Sequence, residues 1–329
     1  MSLEAFVLKD PWEGIQDPIY PDAKGFYFKD NQERMWASMD EDKNLVYFIQ
    51  IPKSENPEII ESLNGVKIEI KNLSLNGKQF SRLIFTLEEV ELRDQFTLMT
   101  ISMALRLNEV SDNSIFVEAK KELKEWSIFL KPDRKGLTRE EHIGLWGELH
   151  VFSEFMLALH PLTDAVNFWV GPNQKKQDFT MNNLAIETKT SLSGDGSLIR
   201  ISSLDQLQKV TDKLYLTHIF INQSSEDALG KSLNDFFYLL EEKMSDDLES
   251  LIKFQKKVGR FRNKATETQL DEKFYFLDLK IYEINDGFPK VSRQEIPNTA
   301  VLNVKYSIDT SLLSEFQIET PIQDLICHG

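Results

Sequence analysis

The sequence is poor in the residues that build covalent cross-links and soft-metal sites. Its 329 residues include one cysteine, Cys327, and five histidines. One cysteine cannot form an intrachain disulfide or a thiolate zinc site. His142 and His150 are eight residues apart, which is not the HExxH spacing of zinc hydrolases. These shortages disfavour disulfide-stabilised folds and zinc enzymes of that kind.

Long apolar runs are also missing. The longest, residues 96–105, is interrupted by threonine and serine and is too short to cross a bilayer. Residues 1–10 lack the basic segment and apolar core of a signal peptide. We therefore expect a cytoplasmic protein with no membrane role.

Positive charge is in short supply, since 38 Lys and Arg residues face 53 Asp and Glu residues, for a net charge of -15. Such a surface repels phosphate on average, so any contact with nucleic acid must come from a local patch. The densest basic run interleaves with two phenylalanines and contains Lys253, Lys256, Lys257, Arg260 and Arg262. It could follow a phosphate backbone, or it could be a solvated helix that balances the acidic residues 241–249.

The composition that remains is globular, and the length suits about two domains. Residues 1–130 predict a β-rich N-terminal domain with two closing helices. Its best local signal is Asn76-Gly77, a hairpin turn after the alternating strand 66–75. Residues 131–136 (KPDRKG) contain proline and glycine and predict the domain junction.

Residues 131–329 predict a second domain that mixes helices and strands. Thr138 and Glu141 form the pattern of a capping box for a helix that runs to about His160. Strands are expected near residues 177–181 and 184–190, and a further helix from about Ser203. We expect the fold class to be α+β or α/β, with a C-terminal α/β extension.

The segment 177–190 (QDFTMNNLAIETKT) carries the chemistry. A two-residue type I′ turn at Asn182-Asn183 would place Asp178 opposite Glu187 on one face of a hairpin. Two carboxylates at this short distance repel each other unless a cation lies between them. Mg²⁺ prefers carboxylate oxygens as ligands. Lys189 shares the face of Glu187 because strand side chains alternate. These three groups could hold a metal, polarise a phosphodiester and activate water.

The Glu-x-Lys tripeptide alone is not specific. It recurs at five other places, starting at Glu41, Glu69, Glu118, Glu122 and Glu241, where a solvated surface is the ordinary interpretation. Glu187 differs in its context. It has apolar neighbours on a strand and an acid across a tight turn.

Five ordered motifs resemble the PD-(D/E)XK-motif protein family, a bacterial family found near restriction-modification and phage-defence genes. They are residues 144–149 (GLWGEL), 169–172 (WVGP), 178–179 (DF), 185–190 (AIETKT) and 200–207 (RISSLDQL). The resemblance implies a restriction-endonuclease-like core, with a mixed sheet of about four strands between helices. It also implies Asp178, Glu187 and Lys189 as the active-site triad. Gln177 stands where the motif usually has proline.

The same resemblance suggests two further site residues. Glu148, on the helix before the strands, would be an additional metal or water contact, and Gly144 and Gly147 beside it suit a close helix–sheet approach. Gln206 would position substrate or a metal-bound water. The ordinary alternatives are a helix-surface glutamate and a solvent-facing amide.

Two hypotheses from different classes follow. The first is a Mg²⁺- or Mn²⁺-dependent DNA endonuclease of a restriction or phage-defence system, with Asp178, Glu187 and Glu148 on the metal. The second is a non-catalytic subunit of the same fold that binds DNA or protein in a larger complex. Expected partners are DNA, a helicase or methyltransferase subunit, or a second copy of the chain.

Overall fold

The computed structural model describes residues 10–13, 15, 24–27, 33–53, 62–75, 77–127, 135–173, 177–224, 230–296, 298 and 300–327. The chain divides into two compact units, Met1–Asp133 and Arg134–Gly329. Asn76 and residues 131–134, which carry the predicted turn and junction, lie outside the described residues. Within the described ranges, no helix has the length and apolarity needed to cross a membrane.

The first unit is an antiparallel five-stranded sheet followed by two helices. The strand order is β1-β2-β3-β5-β4. The strands are β1 (Lys24–Tyr27), β2 (Glu33–Met39), β3 (Leu45–Pro52), β4 (Val66–Leu75) and β5 (Lys78–Leu87). The helices are α1 (Arg93–Leu107) and α2 (Asp112–Trp126), and α2 packs on β3.

The predicted hairpin in this unit is confirmed by the strand register. Pairing between β4 and β5 continues to Leu75 and Lys78, which leaves a two-residue connection. Gly77 in that connection has a φ of 77°, a conformation that glycine adopts without a Cβ clash. The alternation of apolar and polar residues in 66–75 therefore set both the strand and its register.

The second unit contains seven strands and six α-helices of at least five residues in its described part. The strands are β6 (Phe179–Thr180), β7 (Leu184–Leu192), β8 (Leu198–Ile201), β9 (Lys213–Gln223), β10 (Phe274–Glu283), β11 (Tyr306–Asp309) and β12 (Gln317–Ile318). The helices are α3 (Arg139–Val151), α4 (Leu162–Phe168), α5 (Leu233–Lys243), α6 (Leu248–Lys264), α7 (Glu267–Asp271) and α8 (Ile322–Cys327).

Helix α3 begins as its sequence predicts. The Thr138 hydroxyl accepts a hydrogen bond from the Glu141 amide at 3.2 Å, and the Glu141 carboxylate accepts one from the Thr138 amide at 2.8 Å. These reciprocal bonds satisfy two amides that a helix start leaves without partners. The helix then passes into a π-helical turn (Phe152–Met156) and ends near His160.

The central sheet is mixed, as the motifs predict. Its order is β12-β10-β9-β7-β6, where β7 and β9 are parallel and the other neighbours antiparallel. Strands β8 and β11 form a separate two-stranded sheet. The C-terminal residues are thus part of the core architecture, because β12 forms an edge of the central sheet.

Each face of the central sheet has its own apolar cluster. Ile186 of β7 joins the cluster of the helices, with Trp146, Phe152 and Phe254. Ala185, one residue earlier, joins the cluster formed with β8 and β11. Since side chains alternate along a strand, Glu187 and Lys189 belong to the Ala185 face.

Two local predictions are wrong. The segment after Ser203 forms only a 3-10 turn, Leu204–Leu207, because the side-chain amide of Gln177 binds backbone carbonyls of this segment. The Asn182-Asn183 connection is not type I′, since neither residue has a positive φ. The predicted register nevertheless holds, with Phe179 paired to Ile186 and Thr180 to Ala185.

Candidate active site

The register of the β6–β7 hairpin brings Asp178 to Glu187. The Asp178 amide donates to the carbonyl of Ile186 at 3.1 Å. The Asp178 Oδ2 atom accepts from the amide of Thr188 at 2.8 Å. Asp178 is therefore hydrogen-bonded to the residues on both sides of Glu187. Its carboxylate accepts a backbone amide in the way that a carbonyl of a neighbouring strand would. The short hairpin positions these two acids.

Glu187 and Lys189 form an ion pair within one strand. The Lys189 Nζ atom donates to Glu187 Oε1 at 2.7 Å. The Glu187 side chain is 1% exposed and that of Lys189 17%. The other carboxylate oxygen, Glu187 Oε2, is buried and has no hydrogen-bond partner in the described part of the chain. A buried carboxyl oxygen without a partner is costly, so it indicates an interaction that is absent from the protein alone.

Glu148 reaches the same site from helix α3. The indole Nε1 of Trp169 donates to Glu148 Oε2 at 2.8 Å. Trp169 is fully buried and stacks on Phe152, with ring centroids 5.2 Å apart. The carbonyl of Trp169 accepts a hydrogen bond from Lys257 on α6. Glu148 is thus held by a tryptophan that is fixed on both sides.

Gly171 lies between Glu148 and Asp178. A Cβ atom at this position would lie 2.6 Å from Asp178 Oδ1 and 2.7 Å from Glu148 Oε2. Two carboxylate oxygens therefore face each other across a space that a methyl group would fill. The Gly171 and Val170 amides both donate to the Asp178 carbonyl, at 2.9 and 2.8 Å, which fixes this approach.

The pKa values of all three acids, Glu148, Asp178 and Glu187, are raised. Burial, followed by the negative charge of Asp178, raises the pKa of Glu187 to about 8. The same two causes raise the pKa of Glu148 well above its usual value. Burial also raises the pKa of Asp178, although Lys189 and the Thr188 amide oppose the change. Carboxylates crowded in this way gain from a nearby cation.

Lys189 is the cation that the chain itself supplies. Burial would lower the pKa of Lys189, but the charges of Glu187 and Asp178 outweigh that effect and raise it. The ammonium group therefore stays protonated at neutral pH. One lysine offsets only part of the negative charge of three nearby acids.

The donor set fits a hard divalent cation. Within the described residues, no three carboxylate, imidazole or thiol groups already stand in a cation-binding cluster. Mg²⁺ does not require one, because it is usually held by one or two carboxylates together with water and substrate phosphate. The unpartnered Glu187 Oε2 and the carboxylate oxygens that approach each other beside Gly171 suit such an ion, with Asp178 and Glu187 as ligands.

Gln177 explains how the chain replaces the proline of the motif. Its side chain is 1% exposed, and its amide nitrogen donates to the carbonyls of Asp205, Gln206 and Gln208 at 3.0, 3.2 and 2.8 Å. It therefore fixes the 3-10 turn against the segment that carries Asp178, just before β6. The Oε1 atom of Gln206 itself accepts a hydrogen bond from the Ser202 amide at 2.9 Å. A role for Gln206 with substrate stays a prediction.

The basic run of α6 is largely engaged in the fold. Lys253 pairs with Glu249 at 2.8 Å, and Arg262 with Glu241 at 2.7 Å. Lys257 is 8% exposed, and burial lowers its pKa to about 8. The Arg260 guanidinium lies 4.4 Å from the ring centroid of Phe261. Lys256 is half-buried, and it too has an interaction partner. DNA contact by this run stays a prediction.

Three residues of the site were not identified as such from the sequence. Trp169 and Gly171 belong to the motif WVGP, and Gln177 precedes the acid, so position relative to the motifs was the available signal. Lys257 gave a misleading signal, because its charge suggested a surface. Its hydrogen bond joins residues 88 positions apart, which no local pattern predicts.

Comparison with known proteins gives a match to a family model that spans most of the chain. No curated protein and no solved structure matches it. Residues 8–311 match the family described as "Putative PD-(D/E)XK family member, (DUF4420)". This match covers both units and all five motifs, and it agrees with the mixed sheet and with the resemblance drawn from the residues. The chain belongs to this PD-(D/E)XK family.

Proposed function

We propose that this protein is a Mg²⁺- or Mn²⁺-dependent nuclease that hydrolyses phosphodiester bonds in DNA, within a bacterial restriction or phage-defence system. The observation that carries the proposal is the buried Glu187 Oε2 atom, which has no partner among the described residues although Asp178 and Lys189 lie beside it. Family membership supports a nuclease-like fold for the same residues.

The charge and position of each residue suggest its role in the proposed reaction. Asp178 and Glu187 would hold the metal, and Glu148 would assist from α3. A bound divalent cation would supply Lewis-acid activation of water and neutralise phosphate charge. Lys189, kept protonated by Glu187 and Asp178, would stabilise the negative charge that develops on the phosphate oxygens and orient the attacking water.

Trp169 and Gly171 prepare the site for this chemistry. The indole of Trp169 holds Glu148 at 2.8 Å, so the carboxylate needs no rearrangement before it acts. Gly171 keeps free the space between Glu148 and Asp178. Because Glu187 is buried, the local dielectric is low, which strengthens the electrostatic interactions of the carboxylates and Lys189.

The direct test is cleavage of supercoiled plasmid and of end-labelled DNA and RNA with Mg²⁺ or Mn²⁺, compared with EDTA. We expect the wild type to cleave DNA only with metal, and Asp178→Asn to lose that cleavage. Asp212→Asn, at an exposed position outside the site, should cleave as the wild type does. Equal cleavage by wild type and Asp178→Asn would contradict the assignment.

A second prediction concerns the space beside Gly171. Gly171→Ala should lower metal-dependent cleavage by about 100-fold, because the new methyl group displaces two carboxylate oxygens and small displacements carry large kinetic costs. Gly194→Ala is the matched control, since a Cβ there meets nothing within 4 Å. The measurement is kcat/KM for both variants. A Gly171→Ala enzyme as active as Gly194→Ala would show that this space is not used.

The alternative is a non-catalytic subunit that binds DNA or protein in a larger complex. The observations that favour it are the absence of a preformed three-ligand cluster in the described residues and the internal pairing of Glu187 with Lys189. Calorimetric titration separates the two functions. Absence of Mg²⁺ and Mn²⁺ binding at millimolar concentration, together with tight binding to a helicase or methyltransferase, would favour the subunit.

A further inference from the structure

A row of three side chains, two lysines with a histidine between them, crosses the central sheet from the candidate site. In the parallel pairing of β7 and β9, Lys189 lies opposite His218. In the antiparallel pairing of β9 and β10, His218 lies opposite Lys280. Opposite residues share a face, so the three side chains share the face of Glu187. With neighbouring strands about 4.8 Å apart, Lys280 lies roughly 10 Å from Lys189 along this row.

Lys280 lacks the acidic partner that some other lysines of this unit have. Lys231 pairs with Glu154 and Lys264 with Glu141. Among the described residues, Lys280 has no such ion pair, and its Nζ atom lies 5.5 Å from the ring centroid of Phe220. In a chain of net charge -15, an unpaired ammonium in line with Lys189 is a local attraction for phosphate.

The middle of the row is neutral and firmly packed. His218 is fully buried, and its Nε2 atom lies 2.9 Å from the Ser191 hydroxyl. Its ring contacts Phe220 at a centroid distance of 4.1 Å. Phe220 is half-buried and lies two residues from His218 on β9, opposite Asp278 of β10. An aromatic ring beside a cation is the combination that binds base and backbone of single strands.

We propose that Lys189 and Lys280, on either side of the buried His218, mark the track on which a DNA strand lies as it leaves the candidate site, with Lys280 binding a phosphate next to the scissile one. The inference rests on the proposed nuclease function and adds the path of the substrate. Lys280 would contribute binding and no chemistry, since it lies two strands from Glu187. Its removal should therefore raise KM and leave kcat nearly unchanged.

Asp278, an acid close to Lys280, tests whether charge at this position affects DNA binding in the expected direction. Asp278 lies on β10 two residues before Lys280, is exposed, and accepts from the Leu279 amide at 2.9 Å. On the proposed track its negative charge opposes the phosphate backbone. Asp278→Asn should therefore tighten binding of DNA, while a substitution that removes the Lys280 charge weakens it.

The test is fluorescence anisotropy of a fluorescein-labelled 16-nucleotide single strand and its duplex, with Ca²⁺ in place of Mg²⁺ to prevent cleavage. Lys280→Glu should weaken binding at least tenfold, and Lys280→Met by about threefold. Both should lower the slope of log Kd against log salt, because phosphate contacts release counterions. Lys213→Glu, the same charge change at an exposed position where β9 begins, should change Kd less than twofold.

The outcomes distinguish the two proposals. If the wild type cleaves DNA but Lys280→Glu binds with unchanged Kd and salt slope, the track is wrong and the nuclease function stands. If Lys280→Glu loses binding but the wild type cleaves nothing, the track stands as a binding surface and the catalytic proposal fails. If the wild type neither binds nor cleaves nucleic acid, both fail.

Discussion

Replacing Glu187 by glutamine is expected to abolish metal-dependent cleavage and, in the same protein, to stabilise the metal-free fold. The loss should be at least about 1000-fold in kcat, since a neutral amide cannot replace a charged ligand in a buried site. The gain follows from burial and the nearby charge of Asp178, which raise the pKa of Glu187 to about 8. Glutamine keeps the shape of the side chain and carries no charge.

The stability gain should depend on pH in a defined direction. Because the folded protein holds the Glu187 proton more tightly than the unfolded chain, the wild type loses stability as pH rises from about 4.5 to 8. Each tenfold difference in proton affinity corresponds to about 1.4 kcal/mol. In EDTA, Glu187→Gln should therefore be more stable than wild type by on the order of 2–4 kcal/mol at pH 8, and nearly equal to it at pH 4.5.

Urea unfolding in EDTA at both pH values measures this effect. Glu242→Gln, at an exposed position of α5, is the control for loss of one carboxylate and should move neither stability nor cleavage. Adding Mg²⁺ should stabilise the wild type and leave Glu187→Gln unchanged. A Glu187→Gln protein that is less stable than wild type at pH 8 would show that Lys189 compensates the buried charge.

The second large effect concerns two glycines three residues apart on helix α3. A Cβ at Gly147 would collide with the Thr190 hydroxyl and lie 3.1 Å from Thr190 Cβ, so the helix packs on β7 only because Gly147 has no side chain. Gly147→Ala should lower the free energy of unfolding by about 1–3 kcal/mol. It should also reduce cleavage, since Thr190 adjoins Lys189 on the same strand.

Gly144→Ala should have the opposite sign. A Cβ at Gly144 meets nothing within 4 Å, and alanine favours the helical conformation over glycine by about 0.5–1 kcal/mol. The measurement is the thermal unfolding midpoint of Gly144→Ala and of Gly147→Ala, which compares two alanine substitutions within one helix. If both substitutions destabilised the protein equally, close packing at Gly147 would not be the cause of the destabilisation by Gly147→Ala. The expectation that both glycines serve close packing holds for Gly147 alone.

The hairpin shows why much of the site could be predicted. Alternation along residues 184–190 and a short connection at Asn182-Asn183 were enough to bring Asp178 to Glu187 and Lys189, although the turn type was wrong. Register depends on connection length and on which residues are apolar, and both can be read locally. The turn conformation depends on backbone angles that asparagine does not fix.

Other features escaped sequence reasoning for an equally physical reason. The 3-10 turn at Leu204–Leu207 replaces the expected helix because the Gln177 amide binds three carbonyls there, from a position about 30 residues earlier. Lys257 was expected on a DNA-binding surface, and it is instead buried against the Trp169 carbonyl. Both outcomes are decided by partners far along the chain.

The sequence by itself determined the strand that carries Glu187 and Lys189, the capped start of α3, and the match to the family, because period, capping and motif spacing are local properties. Only the tertiary structure decided that Trp169 orients Glu148, that Gly171 leaves room for the carboxylates of Glu148 and Asp178, and that Lys280 continues the row of Lys189. Those arrangements join strands and helices distant in sequence. They arise from packing of the whole unit, in which each side chain takes the place that its neighbours leave.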